Sequence, residues 1–234
     1  MDTTTQVQEA KLSPAIEDYV KAIYQLQQEH EQVTTSLLAE HLGFMPGSVT
    51  GMLQRLSRLN LVTYEPYRGV VLTDLGKRTA LEVLRHHRLL ELFLVEALSY
   101  SWDEVHAEAE VLEHAISERL EARIAERLGH PLTDPHGDPI PLADLSLPSE
   151  DRHSLADLEV GRQGRIIRVL DQNPAHLRYL QELGLCPGAT VSVQTRAPFD
   201  GPLTIQVEGM THAIDSRMAR NILVRLLETS DAGA

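Results

Sequence analysis

The stretch TTSLLAEHLGFMPGSVTGMLQRLSRLNLV, residues 34–62, constrains the fold most strongly, since it places two short apolar-faced helices around a glycine-containing break at 43–47. Ala39, Gly43 and Val49 have the spacing of a helix-turn-helix. In that motif a small residue lets the two helices cross closely, a glycine permits the turn, and a β-branched residue packs beneath it. The stretch therefore predicts a helix-turn-helix.

A hairpin, or wing, is predicted directly after this motif. Residues 61–73, LVTYEPYRGVVLT, contain two β-rich runs around a turn at 66–69. Residues 45–72 contain three arginines and one glutamate, so this segment is basic. Polar side chains of the second helix and the wing are candidate contacts to DNA phosphates or base edges. They are Ser48, Thr50, Arg55, Tyr67 and Arg68. The alternative interpretation is that the arginines only solvate the helix.

The formal net charge of −13 argues against nucleic acid as a partner of the chain as a whole, because neutralising phosphates drives such binding. Six of the eleven histidines cluster between residues 86 and 136, which suits a chain that binds divalent cations. One cysteine, Cys186, fits a reducing compartment and is interpreted as structural. No apolar run approaches the ~20 residues that span a bilayer, and the N-terminus does not resemble a secretory signal. We therefore expect a cytoplasmic protein without a membrane segment.

Helical and β-like segments divide the rest of the chain into modules. Apolar periodicity predicts helices at residues 13–29, 37–42, 48–60, 74–98 and 103–129. Residues 130–153 hold five prolines and are predicted to be a structured linker. A small barrel-like domain is predicted after residue 154. It consists of β-like runs at 163–170, 189–195, 203–209 and 221–227 and a short helix near 174–183.

The run EVHAEAEVLEH, residues 104–114, carries most of the candidate chemistry. At about 100° per residue, two imidazoles and two carboxylates share one face of the predicted helix. They are His106, Glu110, Glu113 and His114. The preceding helix offers His87 and Glu91 one turn apart. Two helices that each present histidine and carboxylate could enclose a divalent ion.

Three other interpretations compete with a metal-responsive DNA-binding protein. A Glu-rich helix is usually a solvated face. Histidine and glutamate on facing helices also build metallohydrolase and di-metal oxidase sites, but the sequence offers no nucleophile paired with a base, so we expect no enzyme. A DNA-binding protein with structural histidines would be insensitive to chelators.

The combination of motifs resembles the diphtheria toxin repressor family of metal-dependent transcriptional regulators, and within it the manganese-sensing branch. The matching motifs are IEDYVKAIYQL (16–26), PGSVTGMLQRL (46–56), YEPYRGVVLTDLGKR (64–78), HRLLELFL (87–94), VHAEAEVLEH (105–114) and HGDPIP (136–141), with LGLCPGATV in a segment that resembles ferrous-iron transport A proteins. The resemblance implies a mainly α fold with small β elements. Its domains would be a winged helix-turn-helix (1–73), a helical dimerisation and metal-binding domain (74–145) and a C-terminal SH3-like β-barrel (154–228).

Metal ligands are implied by the same resemblance. The primary site would consist of Asp18, Glu110, Glu113 and His114, and the ancillary site of His87, Glu91 and His106. The stretch DQNPAH suggests His176, with Asp171 behind it, as a contribution of the C-terminal domain. Some manganese members also use linker positions that are Asp134 and His136 here.

The resemblance further implies a homodimer that binds a palindromic DNA operator and represses metal-uptake genes when metal is bound. Asp18 and Glu110 stand where iron-sensing members have methionine and cysteine, and such hard ligands suit Mn²⁺, with Fe²⁺ as the alternative. Lys21 stands where some manganese members have a glutamate, so we expect separate one-ion sites and two or more ions per subunit. Without metal, the crowded carboxylates would repel one another and loosen the first helix from the dimerisation helices.

Overall fold

The computed structural model describes residues 12–148 and 153–227. The chain forms two compact units, the first ending at Leu84 and the second beginning at Arg85. Residues 1–11 of the predicted first domain, residues 149–152 of the predicted linker and residues 228–234, which begin at the last residue of the predicted third domain, lie outside the described residues. The predicted domain limits stay a prediction.

The first unit contains the helix-turn-helix and its wing. Its elements are α1 (Pro14–Glu29), α2 (Thr35–Leu42), α3 (Pro46–Arg58), β1 (Val62–Glu65), β2 (Gly69–Leu72) and the start of α4 (Asp74–Leu98). The Thr34 side chain caps α2, and Gly43 ends it with a left-handed φ of +67°. Helix α3 begins two residues earlier than predicted because Pro46 is suited to a first helical position.

The wing is an antiparallel hairpin whose register runs from Val62 opposite Leu72 to Glu65 opposite Gly69. Val33, between α1 and α2, adds a backbone bridge to Val70 of the second wing strand. This bridge explains why position 69 is a glycine, since a Cβ there would lie 2.5 Å from the Val33 carbonyl oxygen. The wing is therefore fixed to the helical part of the unit.

The predicted helix over 103–129 is wrong, because the chain forms two helices there. They are α5 (Val105–Leu112) and α6 (Glu118–Arg127). Ser117 adopts an extended conformation and its side chain accepts a hydrogen bond from the Leu120 amide, so it caps a new helix. Glu113 and His114 consequently lie in a turn after α5.

The C-terminal part of the second unit is a six-stranded antiparallel sheet with the order β3-β8-β4-β5-β6-β7. Its elements are β3 (His153–Ser154), β4 (Gln163–Val169), α7 (Pro174–Glu182), β5 (Thr190–Arg196), β6 (Leu203–Val207), β7 (Met210–Ile214), α8 (Ser216–Arg220) and β8 (Ile222–Leu226). Strands β3 and β7 and helix α8 are absent from the sequence-based prediction. Strand β7 lies at the sheet edge and is largely exposed, so its sequence lacks a strong apolar alternation.

Trp102, in the loop between α4 and α5, packs its side chain into the core of this sheet. The neighbouring Asp103 accepts a hydrogen bond of 2.8 Å from Arg178 of α7. The sheet is thus attached to the helical segment within the second unit. Within the described ranges, no helix is long and apolar enough to cross a membrane.

Gly76→Ala should destabilise the protein by about 1–3 kcal/mol, since overpacking has that cost. A Cβ at Gly76 would lie 1.9 Å from the Leu61 carbonyl oxygen. Gly51→Ala is the matched control, because Gly51 is also helical but has nothing within 4 Å of its Cβ position, and alanine should add up to about 1 kcal/mol of stability there. Urea unfolding followed by circular dichroism gives both values. Equal midpoints for the two variants would contradict the close packing at Gly76.

Candidate metal centre

The centre is organised by four consecutive residues of α4, Arg85 to Arg88, together with Glu91 one turn later. His87 is buried and contacts three other polar side chains. Its Nε2 lies 2.9 Å from Glu91 Oε1 and 3.0 Å from His106 Nδ1. Its Nδ1 lies 2.5 Å from Glu113 Oε2. The His87 imidazole therefore connects Glu91 on its own helix with His106 in α5 and with Glu113 directly after α5.

Two groups of potential ligands meet around this histidine. In the first, which we call the α5 cluster, His87, His106 and Glu110 each offer an atom within 4.8 Å of the others. Glu110 Oε1 lies 3.7 Å from His87 Nδ1 and 3.8 Å from His106 Nε2. His106 and Glu110 are half-exposed, so an ion could enter from solvent.

The second group, which we call the loop cluster, consists of Glu91, Asp134 and His136, all buried, with ligand atoms within 4.8 Å of one another. Asp134 Oδ1 accepts hydrogen bonds from the His136 and Asp138 amides. Asp134 Oδ2 and His136 Nδ1 are buried without a hydrogen-bond partner. Buried polar atoms without partners are costly, so these residues fit a divalent cation.

The ionisation of the loop cluster is strongly perturbed. Although burial alone would raise the pKa of Glu91, the three imidazoles around it hold that pKa well below its usual value. Burial alone would lower the pKa of His136, but the neighbouring Glu91 and Asp134 carboxylates raise it to about 9. Burial and the charges of Asp138 and Glu91 raise the pKa of Asp134 well above its usual value. In the metal-free protein, protons therefore balance the buried negative charge.

Arg85 and His86 form hydrogen bonds and ion pairs with residues that surround the two clusters. Arg85 Nε donates to Glu121 Oε1 at 2.6 Å, and His86 Nε2 lies 3.1 Å from Glu121 Oε2. His86 Nδ1 donates to the Glu113 carbonyl oxygen at 3.2 Å. Because the Arg85 guanidinium already neutralises Glu121, we interpret this set as a structural ion-pair network. It fixes the turn that carries Glu113.

The structure does not unite every predicted ligand. Glu113 and His114 are neighbours, with Oε1 and Nε2 3.4 Å apart. Asp18 lies half-buried on α1 of the first unit. Asp171 and His176 pair with each other at 2.5 Å and are partly exposed. Among the residues that the structure describes, Asp171 and His176 belong to no potential cation-binding group. Their assignment as ligands stays a prediction.

The predicted DNA contacts lie on α3 and the wing. Ser48 and Arg55 are exposed on α3, and Tyr67 is fully exposed at the wing turn. Arg68 pairs with Glu65 at 3.2 Å. Thr50 is half-buried and donates its hydroxyl to the Pro46 carbonyl oxygen at 3.0 Å. Four of the five side chains are thus exposed.

Several residues around these sites are not among the predicted ones. Met45 and Phe44, at the start of α3, are exposed apolar side chains. The run Arg-His-His-Arg at residues 85–88 is a visible signal in the sequence, but only His87 of this run is among the predicted ligands. The roles of the two arginines depend on contacts with residues more than 35 positions away, which helical periodicity does not reveal.

Three known families match successive parts of the chain. They are the iron-dependent repressor N-terminal DNA-binding domain at residues 11–70, the iron-dependent repressor metal-binding and dimerisation domain at 73–142, and the FeoA domain at 153–226. The chain belongs to the diphtheria toxin repressor family. The predicted fold class is confirmed, with a winged helix-turn-helix, a helical dimerisation domain and a C-terminal SH3-like sheet.

Relatives within the repressor family are similar over between 44% and 85% of the chain. The iron-dependent repressor IdeR of Mycobacterium tuberculosis is 33% identical over 211 residues, which cover 85% of this chain and 91% of that protein. The transcriptional regulator MntR of Bacillus subtilis is 37% identical over 102 residues, 44% of this chain and 71% of that protein. This repressor-family member is therefore a metal-dependent DNA-binding transcriptional regulator, as predicted.

Solved structures of the repressor family agree with the fold. A manganese-dependent transcriptional repressor in complex with manganese has a TM-score of 0.83 and 40% identity, covering 91% of this chain and 100% of that chain. ScaR with bound Zn²⁺ has a TM-score of 0.77 and 31% identity, covering 91% and 99%.

Metal affinity of the loop cluster should rise with pH between about 6.5 and 9. Ligation requires a neutral imidazole, whereas metal-free His136 holds its proton up to a pKa of about 9. Each pH unit should therefore strengthen binding about tenfold, or ~1.4 kcal/mol. Isothermal titration of Mn²⁺ in buffers of different ionisation enthalpy measures the released protons.

The raised pKa of His136 also predicts how the stability of the metal-free protein depends on pH. Protonated His136 stabilises the metal-free fold fully below the unfolded value of about 6.5, and this contribution is lost as pH rises to about 9. Thermal melting of the metal-free protein should show that loss, which His136→Gln should reduce. A Mn²⁺ affinity that stays constant over this pH range would contradict ligation by His136.

Proposed function

We propose that this protein is a cytoplasmic homodimeric repressor that binds a palindromic operator of metal-uptake genes when it holds Mn²⁺, with Fe²⁺ as the alternative ion. The observation that carries the proposal is the buried loop cluster, in which Asp134 Oδ2 and His136 Nδ1 have no hydrogen-bond partner. The chain combines these unpartnered candidate ligand atoms with a winged helix-turn-helix. This combination favours a DNA-binding regulator that responds to a cation.

The donor atoms favour manganese. Both clusters contain carboxylate oxygens and imidazole nitrogens, which suit Mn²⁺ and Fe²⁺. The only thiol of the chain, Cys186, packs against the core of the C-terminal sheet instead. The 40% identity with a protein described as a manganese-dependent transcriptional repressor points the same way.

We assign two ions to each subunit. The loop cluster would hold one ion through Glu91, Asp134 and His136, where linker residues act as ligands. The predicted primary ligands Glu110, Glu113 and His114 would hold the other, and the inclusion of Asp18 rests on the family resemblance. Since His87 contacts Glu91, His106 and Glu113, occupation of one site would affect the other.

The positive charge of the bound ion would link metal binding to DNA binding. When no ion is bound, imidazoles and retained protons compensate the carboxylates around His87 and in the loop cluster. A divalent ion would replace those protons with a fixed double positive charge. The bound ion would favour one arrangement of the dimer in which two winged helices reach two half-sites. A coupling of this kind is typically worth ~1–3 kcal/mol. It also reduces the repulsion between an acidic protein and DNA phosphates.

Glu110→Ala should lower the Mn²⁺-dependent DNA affinity by about 5- to 150-fold, the range of such couplings. Glu108→Ala is the matched control, since Glu108 lies on the same helix outside both clusters. Fluorescence anisotropy of a labelled promoter duplex, first with chelator and then with Mn²⁺, measures both variants. Wild-type binding that is equal with chelator and with Mn²⁺ would overturn metal activation. An unchanged Glu110→Ala response would overturn only the assignment of Glu110.

Arg55→Ala should weaken DNA binding uniformly across duplex sequences if Arg55 contacts a phosphate. The slope of log affinity against log salt should then fall by about 1. Arg123→Ala on α6 also removes an exposed arginine and is the control for net charge. A change that depends on one base position would instead assign Arg55 to base contact, and wild-type affinity would exclude both roles.

A further inference from the structure

The loop that carries Asp134 and His136 lies between helix α4 and strand β4. We call residues 134–140 the ligand loop. On the α4 side, Arg88 Nη1 donates to the Pro139 carbonyl oxygen at 2.5 Å and Nη2 donates to Asp138 Oδ1 at 3.3 Å. These bonds orient one side of the ligand loop without using a candidate ligand.

The C-terminal sheet holds the other side of the ligand loop. The Val169 amide of β4 donates to the His136 carbonyl oxygen at 2.8 Å. Asp138 pairs with Arg168 of β4 and accepts a hydrogen bond of 2.6 Å from Gln172. Backbone and side-chain bonds therefore connect this loop to β4 and the residues after it.

Gly137 allows this close approach. Its φ of +89° lies in the left-handed region, and a Cβ there would lie 1.9 Å from the Ile167 carbonyl oxygen. A side chain at this position would force the ligand loop and β4 apart. The contact is therefore specific to glycine, for reasons of both conformation and space.

The imidazole of His136 is oriented by Trp102. His136 Nε2 lies 2.6 Å from the Trp102 carbonyl oxygen, which can only accept, so Nε2 carries the hydrogen. In the neutral ring the lone pair is then on Nδ1, which faces Glu91 Oε2 at 3.7 Å. Since the Trp102 side chain packs in the core of the C-terminal sheet, the sheet fixes the carbonyl that selects this tautomer.

We propose that the C-terminal sheet positions Asp134 and His136 for metal binding through contacts other than those of the ligand atoms Asp134 Oδ2 and His136 Nδ1. Gly137 and Trp102 are the positioning residues. The proposal rests on the proposed function, in which the loop cluster binds a metal. By linkage, an ion in the loop cluster strengthens the attachment of the sheet as much as the attached sheet strengthens ion binding.

Gly137→Ala tests the proposal in the full-length protein. Loss of an outer-shell partner typically lowers metal affinity about 10- to 100-fold, so the Mn²⁺ midpoint should rise by that factor. Gly129→Ala is the matched control, since Gly129 also has a positive φ of +74° but nothing within 4 Å of its Cβ position. The fluorescence of Trp102, the only tryptophan of the chain, reports on this site because its ring stacks on His136 with centroids 5.9 Å apart.

A second pair of variants keeps the test valid if Gly137→Ala fails to fold. Arg178→Ala removes the ion pair to Asp103 beside Trp102, and Arg178→Lys keeps the charge. The alanine variant should raise the fluorescence midpoint for Mn²⁺, and the lysine variant should restore it towards the wild-type value. A purely structural contact would lower the melting temperature without shifting this midpoint.

The outcomes separate the inference from the proposed function. Midpoints of Gly137→Ala and Arg178→Ala that equal those of their controls would overturn the inference. A wild-type protein whose DNA binding responds to Mn²⁺ while Trp102 fluorescence does not would also overturn it, yet would leave the function intact. If neither DNA binding nor fluorescence responds to Mn²⁺, both the function and the inference fail.

Discussion

The buried contact between His87 and the carboxylates around it is the interaction on which the rest of the metal centre depends. Glu91 lies on the same helix, while Glu113 follows α5, so the imidazole spans two elements. Carboxylates buried this deeply are costly unless cations or hydrogen-bond donors compensate them. In the metal-free protein, imidazoles, arginines and retained protons perform this role. A divalent ion replaces the protons with a fixed charge and a defined geometry.

The same helix also organises what lies outside the clusters. Arg85 holds α6 and the Pro141 carbonyl oxygen, and Arg88 holds the ligand loop. The run Arg-His-His-Arg at residues 85–88 thus places cationic groups around an acidic centre. The net charge of −13 is compatible with a DNA-binding function, because most acidic residues lie outside residues 45–72, which contain three arginines and one glutamate.

Local patterns predicted much of the fold. The limits of α4 follow from apolar periodicity, and the small and β-branched positions around Gly43 predict the turn between α2 and α3. The break between α5 and α6 was missed, since residues 113–117 contain neither glycine nor proline and only Ser117 marks a new helix start. Ligand identities came from spacing within helices and from family resemblance. Gly137 and the Trp102 carbonyl act through contacts between distant segments, which spacing along the chain does not encode.

The position of Cys186 affects how the protein responds to oxidants such as peroxide. Burial and the nearby Glu208 raise the pKa of its thiol, which keeps it in the poorly reactive protonated form. Neither metal cluster contains sulfur, so peroxide has no thiolate there to convert into a sulfenic acid. Iron bound at such a centre could still be oxidised, whereas Mn²⁺ is far more resistant to peroxide. A manganese-loaded regulator of this composition would therefore keep its ligands intact under oxidising conditions that disable a cysteine-ligated sensor.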